Sequence, residues 1–316
     1  MYGVVLRLVP RMPGNVSGVW FPQSPRNAEG EDMGSTVQDV RIPERFSYAI
    51  DQHLVFNYTG VQAWPLVLGI FGRPGDGKSF QVRTHLERRG IFPVSINAAD
   101  LESDRAGMPG KLVLETYEDA GHRIDEGTPT VLVVDDFDTT VGEWAQSTTT
   151  VNHQQVLAQL MHLADSPTRA GDRSLRRVPV IITGNDLSKV YPPLRRPGRM
   201  RSFPWLPTTE ERAHIVTGIL GSMLTPTEIS ELLGELEEAP IAFFSDLLVE
   251  ILAEASDAEV RRHAASLPRL ILPRSPEREE LERVLPTGRL DGAQVKTLAL
   301  HVWHQRMLAT QSYVGE

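Results

Sequence analysis

Apolar and polar positions follow two regimes along this chain. Mainly apolar runs, read as strands, fall at 66–72, 91–96, 130–135 and 178–184, with a shorter one near 202–205. Gly, Pro and charged residues bound them, the pattern of strands buried on both faces. Between the runs, apolar residues recur at helical spacing over 78–89, 110–126, 152–164 and 208–221. This alternation predicts an α/β fold, a parallel sheet covered by helices. Phe46, Ile50, Leu54 and Val55 predict a helix over Pro43 to Tyr58, leading into the first strand.

Beyond about residue 223 the strand signal stops. Helices are expected at 227–236, 241–254 and 257–265, the first capped by Thr225 or Thr227 with Pro226 in its first turn. Pro268 to Arg278 reads as a linker. A final amphipathic helix runs from Asp291 to Tyr313, its apolar residues including Val295, Leu298, Val302, Trp303 and Met307; it serves packing or partner binding. Pro13 to Gln38 is poor in periodicity and reads as a disordered or extended arm. The expected organisation is an N-terminal arm over 1–40, an α/β domain over 41–222, a small α-helical lid over 223–268, and a linker with a C-terminal helix over 269–316.

The turn between the first strand and its helix carries the chemistry. Residues Gly72, Arg73, Pro74, Gly75, Asp76, Gly77, Lys78 and Ser79 spell G-x-x-x-x-G-K-S, and Phe80 follows inside the helix. A glycine-rich turn lets backbone N–H groups face an anion at a helix N-terminus. Lys78 would reach the β and γ phosphates of a nucleoside triphosphate, and Ser79 would ligate Mg²⁺. The run Val131–Val134 then ends in Asp135 and Asp136. A phosphate-loop enzyme needs two acids there, Asp135 for the metal and Asp136 as the base that orients water. Fifty-seven positions separate Lys78 from Asp135, room for an extra strand, as in ATPases with an acidic base. Asn185 ends the next strand, where its amide can reach a γ-phosphate. Arg196 and Arg199, on a Pro-Gly turn, suit donation to a phosphate in a neighbouring subunit.

Composition narrows the partners. A chain of 316 residues holds about two domains. At 41% apolar and 23% charged it reads as soluble and globular. Its net charge of −9 argues against nucleic acid. Zero cysteines exclude thiol catalysis and suit a reducing cytoplasm. The apolar stretch of Met1 to Gly14 is interrupted by Arg7 and Pro10, so no signal peptide, membrane span or membrane partner is expected. The histidines form no ligand cluster, and the run Arg173, Arg176 and Arg177 reads as a solvated loop.

Phosphate loop, acidic strand end, strand-terminal Asn and R-P-G-R, in that order, resemble the AAA+ ATPases. Longer segments, NAADLESDRAGMPGK from Asn97, TVNHQQVLAQLMHLADSPT from Thr150, VPVIITGND from Val178 and PLRRPGRMRSFPW from Pro193, resemble rubisco activase of the plant and cyanobacterial type. The resemblance covers about residues 43–265. It implies a five-stranded sheet of order 5-1-4-3-2, ATP and Mg²⁺ as cofactors, a homo-oligomeric ring, hexameric in the family, and a protein client, rubisco or another. By the same resemblance, Leu101–Gly107 corresponds to a first pore loop, without the aromatic of unfoldases, and about Gly142 to Thr150 to a second. Two departures stand out. Leu248 occupies the place of the second-sensor arginine, so either another arginine such as Arg261 or Arg262 supplies it, or the coupling of nucleotide to the lid is altered. Asp136 is shorter than the usual Glu, from which slow turnover is expected, on the order of 1 s⁻¹ or less. Protein remodelling by ATP hydrolysis is therefore expected. The alternative is an ATP-gated ring scaffold whose hydrolysis is slow or vestigial. A nucleic-acid loader is disfavoured by the acidity.

Overall fold

The computed structural model of the chain describes residues 40–96, 108–140, 151–270, 275–284 and 291–314. The expected N-terminal arm, all but its last residue, and both pore-loop segments lie outside the described residues.

Five strands form one parallel sheet: β1 (Val67–Phe71), β2 (Phe92–Ile96), β3 (Thr130–Val134), β6 (Val180–Gly184) and β7 (Met200–Pro204). Their order is β2-β3-β6-β1-β7, which is 5-1-4-3-2 when the five are counted along the chain. β1, β3 and β6 are buried at every position, as their mainly apolar sequences require. The register sets Phe71 level with Gly184 on one side and Pro204 on the other. The ends of β1, β6 and β7 thus form one rim, with the end of β3 beside it.

Helices cover both faces. On one, Tyr117, Val113 and Leu160 pack on Leu132, Val180 and Ile182; on the other, Phe46, Val82 and Ile215 pack on Leu68, Ile70 and Val133. A fully buried Trp205 seals the second face. Its ring lies edge-on to Phe46 at 4.8 Å, and Arg45 sits over it at 5.2 Å. Arg45 also pairs with Glu211, so the helix Glu44–Tyr58 is tied to the helix Thr209–Leu220.

The later helices build a separate apolar cluster from Leu224, Ile229, Leu232, Phe243, Phe244, Leu247 and neighbours. Thr208 and Thr225 each close a capping box, with Glu211 and Glu228. Three expectations change. The two helices expected at 241–254 and 257–265 are one, Ile241–His263, because no glycine or proline interrupts the run. A helix, Pro276–Val284, occupies part of the expected linker. A two-stranded ribbon, β4 (Arg169–Ala170) with β5 (Arg173–Ser174), sits where a loop was expected. There Arg173 pairs with Glu118 at the surface, but Arg177 is buried and donates to Asn57 Oδ1 (2.9 Å) and the Trp64 carbonyl (2.6 Å). It is an internal tie, not a solvated charge.

The final helix, Gly292–Val314, joins the second cluster through Val295 and Ala299, both fully buried, and Trp303 meets Phe243 edge-on at 5.2 Å. Its other side leaves Leu300, Met307 and Leu308 exposed.

Candidate functional site

The glycine-rich turn hangs between β1 and the helix Lys78–Arg88, at the rim where the strands end. Gly77 takes φ +74, a region that side chains resist, and caps the helix without a side-chain bond. The helix therefore begins with N–H groups that no capping side chain satisfies. Gly72 is required for a different reason: a Cβ there would lie 2.0 Å from the Trp205 carbonyl oxygen. Its N–H donates to the Gly184 carbonyl (3.3 Å), extending the ladder toward β6. Within the loop Arg73 pairs with Asp76 (3.5 Å), Pro74 is exposed, and the Asp76 carbonyl accepts from Trp205 Nε1 (2.9 Å). The core tryptophan thus holds the loop from beneath.

Lys78 turns back over the loop. Its ammonium donates to the carbonyls of Gly72 and Arg73 (both 2.8 Å) and to Asn185 Oδ1 (2.9 Å). Burial lowers its pKa, opposed by the carboxylates of Asp76, Asp136 and Asp138. The lysine and the strand-terminal asparagine, far apart in sequence, meet directly.

The other residues meet through Thr183. Its hydroxyl donates to Asp135 Oδ1 (2.9 Å) and contacts Ser79 Oγ (3.0 Å). It also accepts from the Asp136 N–H (3.3 Å). With the one threonine proton given to Asp135, Ser79 is the donor of its pair. A shared hydroxyl thereby sets a serine and a carboxylate side by side, the hard oxygen set that suits Mg²⁺. Arg83, on the loop's own helix, binds the second Asp135 oxygen at 2.5 Å. Asp136 adopts φ +49, rare outside glycine and tolerated by Asp. That turn leaves its side chain exposed while Asp135 is buried. Asp138, buried behind them, accepts from the N–H groups of Asn185 (2.9 Å) and Asp186 (3.0 Å) and so pins the end of β6.

The two arginines of the R-P-G-R turn do not join this group. Among the described residues neither bonds to the loop. Arg199 makes a two-pronged pair with Asp165 (both contacts 2.7 Å) and donates to the Pro193 carbonyl; Arg196 is exposed. The candidates for second sensor lie elsewhere too. Arg261 pairs with Asp257 and Arg262 with Glu259, near the far end of their helix, about 22 Å along its axis from Asp246. Leu248 packs against the helical cluster.

Beside the loop opens a cavity of about 410 Å³, lined by Gly75, Phe80, Ile215, Ile219, Ile241 and Asp246 among others. Phe80 is largely exposed there. Ala242 N–H donates to the Gly75 carbonyl (2.8 Å), so loop and helical cluster meet at this wall. An apolar slot next to an anion-binding turn suits a planar base attached to phosphates. Reading the sequence alone missed Thr183, Asp138, Arg83 and Gln81. Thr183 did carry a signal, a hydroxyl within an apolar strand run; Arg83 carried none.

Among the described residues there is no group of His, Asp or Glu arranged as a metal-binding cluster by itself, and no helix is long and apolar enough to cross a membrane. Residues 68–208 match the profile of the ATPase family associated with various cellular activities (AAA). The chain is also similar to ribulose bisphosphate carboxylase/oxygenase activases. With activase 1 of Nicotiana tabacum it is 39% identical over 206 residues, 63% of this chain and 46% of the relative. With that of Cucumis sativus it is 37% identical over 243 residues, 74% and 58%. With that of Spinacia oleracea it is 35% identical over 230 residues, 70% and 49%. The chain spans about half the length of these relatives. Sheet order, loop, acidic strand end and these matches agree: residues 68–208 form an AAA ATPase domain, and the chain is rubisco activase-like across the matched region.

Proposed function

We propose that this chain hydrolyses ATP with Mg²⁺ in a homo-oligomeric ring and uses the cycle to remodel a protein complex, with rubisco the foremost candidate client. The observation that carries the reading is the hydroxyl of Thr183, bonded at once to Ser79, Asp135 and the backbone of Asp136. It supports the reading because a serine hydroxyl and a carboxylate held side by side, with a second acid next in the chain, suit a metal-bound triphosphate.

In this reading Gly75 to Ser79 cradle the phosphates, with Phe80 beside the base. Lys78 trades its two loop carbonyls for β and γ phosphate oxygens. Ser79 and Asp135 hold Mg²⁺, which when bound neutralises phosphate charge. Asp136 orients the attacking water and takes its proton. Asn185, freed from Lys78, donates its amide to the γ-phosphate. Arg196 and Arg199 act on the site of the neighbouring subunit, a hexamer being the ring the resemblance implies, and Arg199 must first leave Asp165. The α/β module of 41–222 and the lid of 223–268 would move against each other through the Gly75–Ala242 contact. No nucleic acid or membrane takes part. The relatives are named as chloroplastic, whereas the location proposed for this chain is cytoplasmic.

One observation favours the scaffold alternative: a leucine, Leu248, stands at the second-sensor place and packs in the helical core. Steady-state hydrolysis by the full chain separates the two. Wild type is expected to turn over Mg-ATP, Lys78→Ala to lose nucleotide binding, and Arg199→Ala to bind ADP normally but lose hydrolysis. Assembly on ATP without turnover would support the scaffold. Normal hydrolysis by Arg199→Ala would remove the finger assignment. Adding rubisco carrying a tight sugar-phosphate inhibitor tests the client, by regain of carboxylase activity with ATP.

A further inference from the structure

Asp135, the acid assigned to the metal, has both of its oxygens engaged. Thr183 donates to Oδ1 (2.9 Å), and Arg83 donates to Oδ2 (2.5 Å). Arg83 stands one turn beyond Ser79 on the helix Lys78–Arg88, so the metal serine and a guanidinium share a helix face. The Asp135 side chain is 11% exposed and that of Arg83 42%. A carboxylate so deep is costly unless a positive charge answers it, and Arg83 supplies that charge. The arginine reaches the acid at a cost of its own. Its Nε–H is buried with no hydrogen-bond partner among the described residues. Among those residues Asp135 is the guanidinium's one hydrogen-bond partner, so the charge of the acid is what holds it there.

We propose that Arg83 is a tethered stand-in for the metal: it occupies Asp135 while Mg²⁺ is absent and gives up Oδ2 when Mg-nucleotide binds. This rests on the reading of the loop as a Mg-nucleotide site, and it names what regulates the loading of that site. A guanidinium and a divalent ion on one carboxylate repel each other at close range. The exposed part of Arg83 gives the released side chain a way into solvent. Two consequences follow for the nucleotide. Without metal, Arg83 neutralises Asp135 and lets anionic phosphates approach the loop. With metal, Arg83 must first be displaced, so Mg²⁺ adds little to nucleotide affinity.

The test measures ADP binding to the full-length chain, in EDTA and across a Mg²⁺ titration, for wild type and for Arg83→Gln, which removes the charge. In wild type, saturating Mg²⁺ is expected to raise ADP affinity by less than about five-fold, the low end of coupling between two ligands. In Arg83→Gln the rise is expected to exceed about ten-fold, chiefly through weaker binding in EDTA, and the Mg²⁺ midpoint to fall by about ten-fold. A wild-type rise beyond about five-fold overturns the proposal without any variant, so misfolding of Arg83→Gln cannot shelter it. An unchanged rise, or a Mg²⁺ midpoint that is unchanged or higher, in a folded Arg83→Gln overturns it also. Failure of wild type to bind ADP in either condition would instead overturn the nucleotide reading beneath it, a distinct outcome.

Discussion

A single hydroxyl organises the loop and the two acids. Thr183 Oγ1 is completely buried in β6, between Ser79 on one element and Asp135 and Asp136 on another. Thr183→Val keeps the shape and removes the bridge. Outer-sphere partners of this kind typically contribute 10–100-fold to metal affinity or activity. The expected outcome is a loss of about that size in hydrolysis and a rise in the Mg²⁺ needed for half-maximal rate. ADP affinity without metal should change little. A Mg²⁺ titration of turnover checks it, and an unaltered metal requirement would refute the bridging role. The loop, its lysine and the two acids are legible in the sequence because each lies in a short local pattern with a strand before it. Thr183 is not, since its value depends on β6 lying between β1 and β3, a pairing that the family resemblance implies but that no local pattern of residues states.

At the scale of elements, the final helix is a part of the helical cluster as much as a surface for others. Val295 is fully buried against it, and Arg306 pairs with Asp246 at 2.7 Å while lying over the Phe243 ring. Asp246 lines the nucleotide-sized cavity, so this helix reaches its wall through one ion pair. Val295→Ala removes two buried methyl groups and is expected to cost about 2 kcal/mol of stability. Urea denaturation read by tryptophan fluorescence checks this, Trp303 being on the same helix. The amphipathic pattern announced the helix but not its partner. Its apolar residues wrap enough of the circumference to suit either a core or a client, and Leu300, Met307 and Leu308 are left outside. The fused helix Ile241–His263 has the same origin: two periodic stretches read as separate until packing shows one axis.

The molecule as a whole carries an acid sensitivity in its sheet. His53 is fully buried on the first helix, where its Nε2–H donates to the Val180 carbonyl (3.1 Å). Its Nδ1 faces Trp64 Nε1 (3.4 Å), a donor, so the ring is neutral in this pocket. Burial chiefly, then the charges of Arg177 and Arg201, push its pKa from the ordinary 6.5 down to about 3. The unfolded chain therefore binds a proton below pH 6.5 that the folded chain refuses until about 3. Stability is highest above the unfolded value and is lost as pH falls through that window, by up to about 1.4 kcal/mol per pH unit. Thermal melts from pH 7 to pH 5 should show this slope, and His53→Gln should flatten it. An equal slope in the variant would show that other groups carry the acid response.

What the sequence determined by itself is the local chemistry and the alternation of elements. The loop from Gly72 to Ser79, the acids after β3, the asparagine after β6 and the strand–helix order are all short-range patterns. Tertiary structure decided which groups those patterns would meet. Folding brought Lys78 onto Asn185. It set Thr183 between Ser79 and Asp135, and it turned Arg199 onto Asp165. It also left the oxygen of Gln81 buried and unanswered among the described residues. The physical reason is range. Propensity and periodicity act over a few residues, whereas a hydrogen bond between strands, or an acceptor left without one, exists only after distant segments have paid the entropy of coming together.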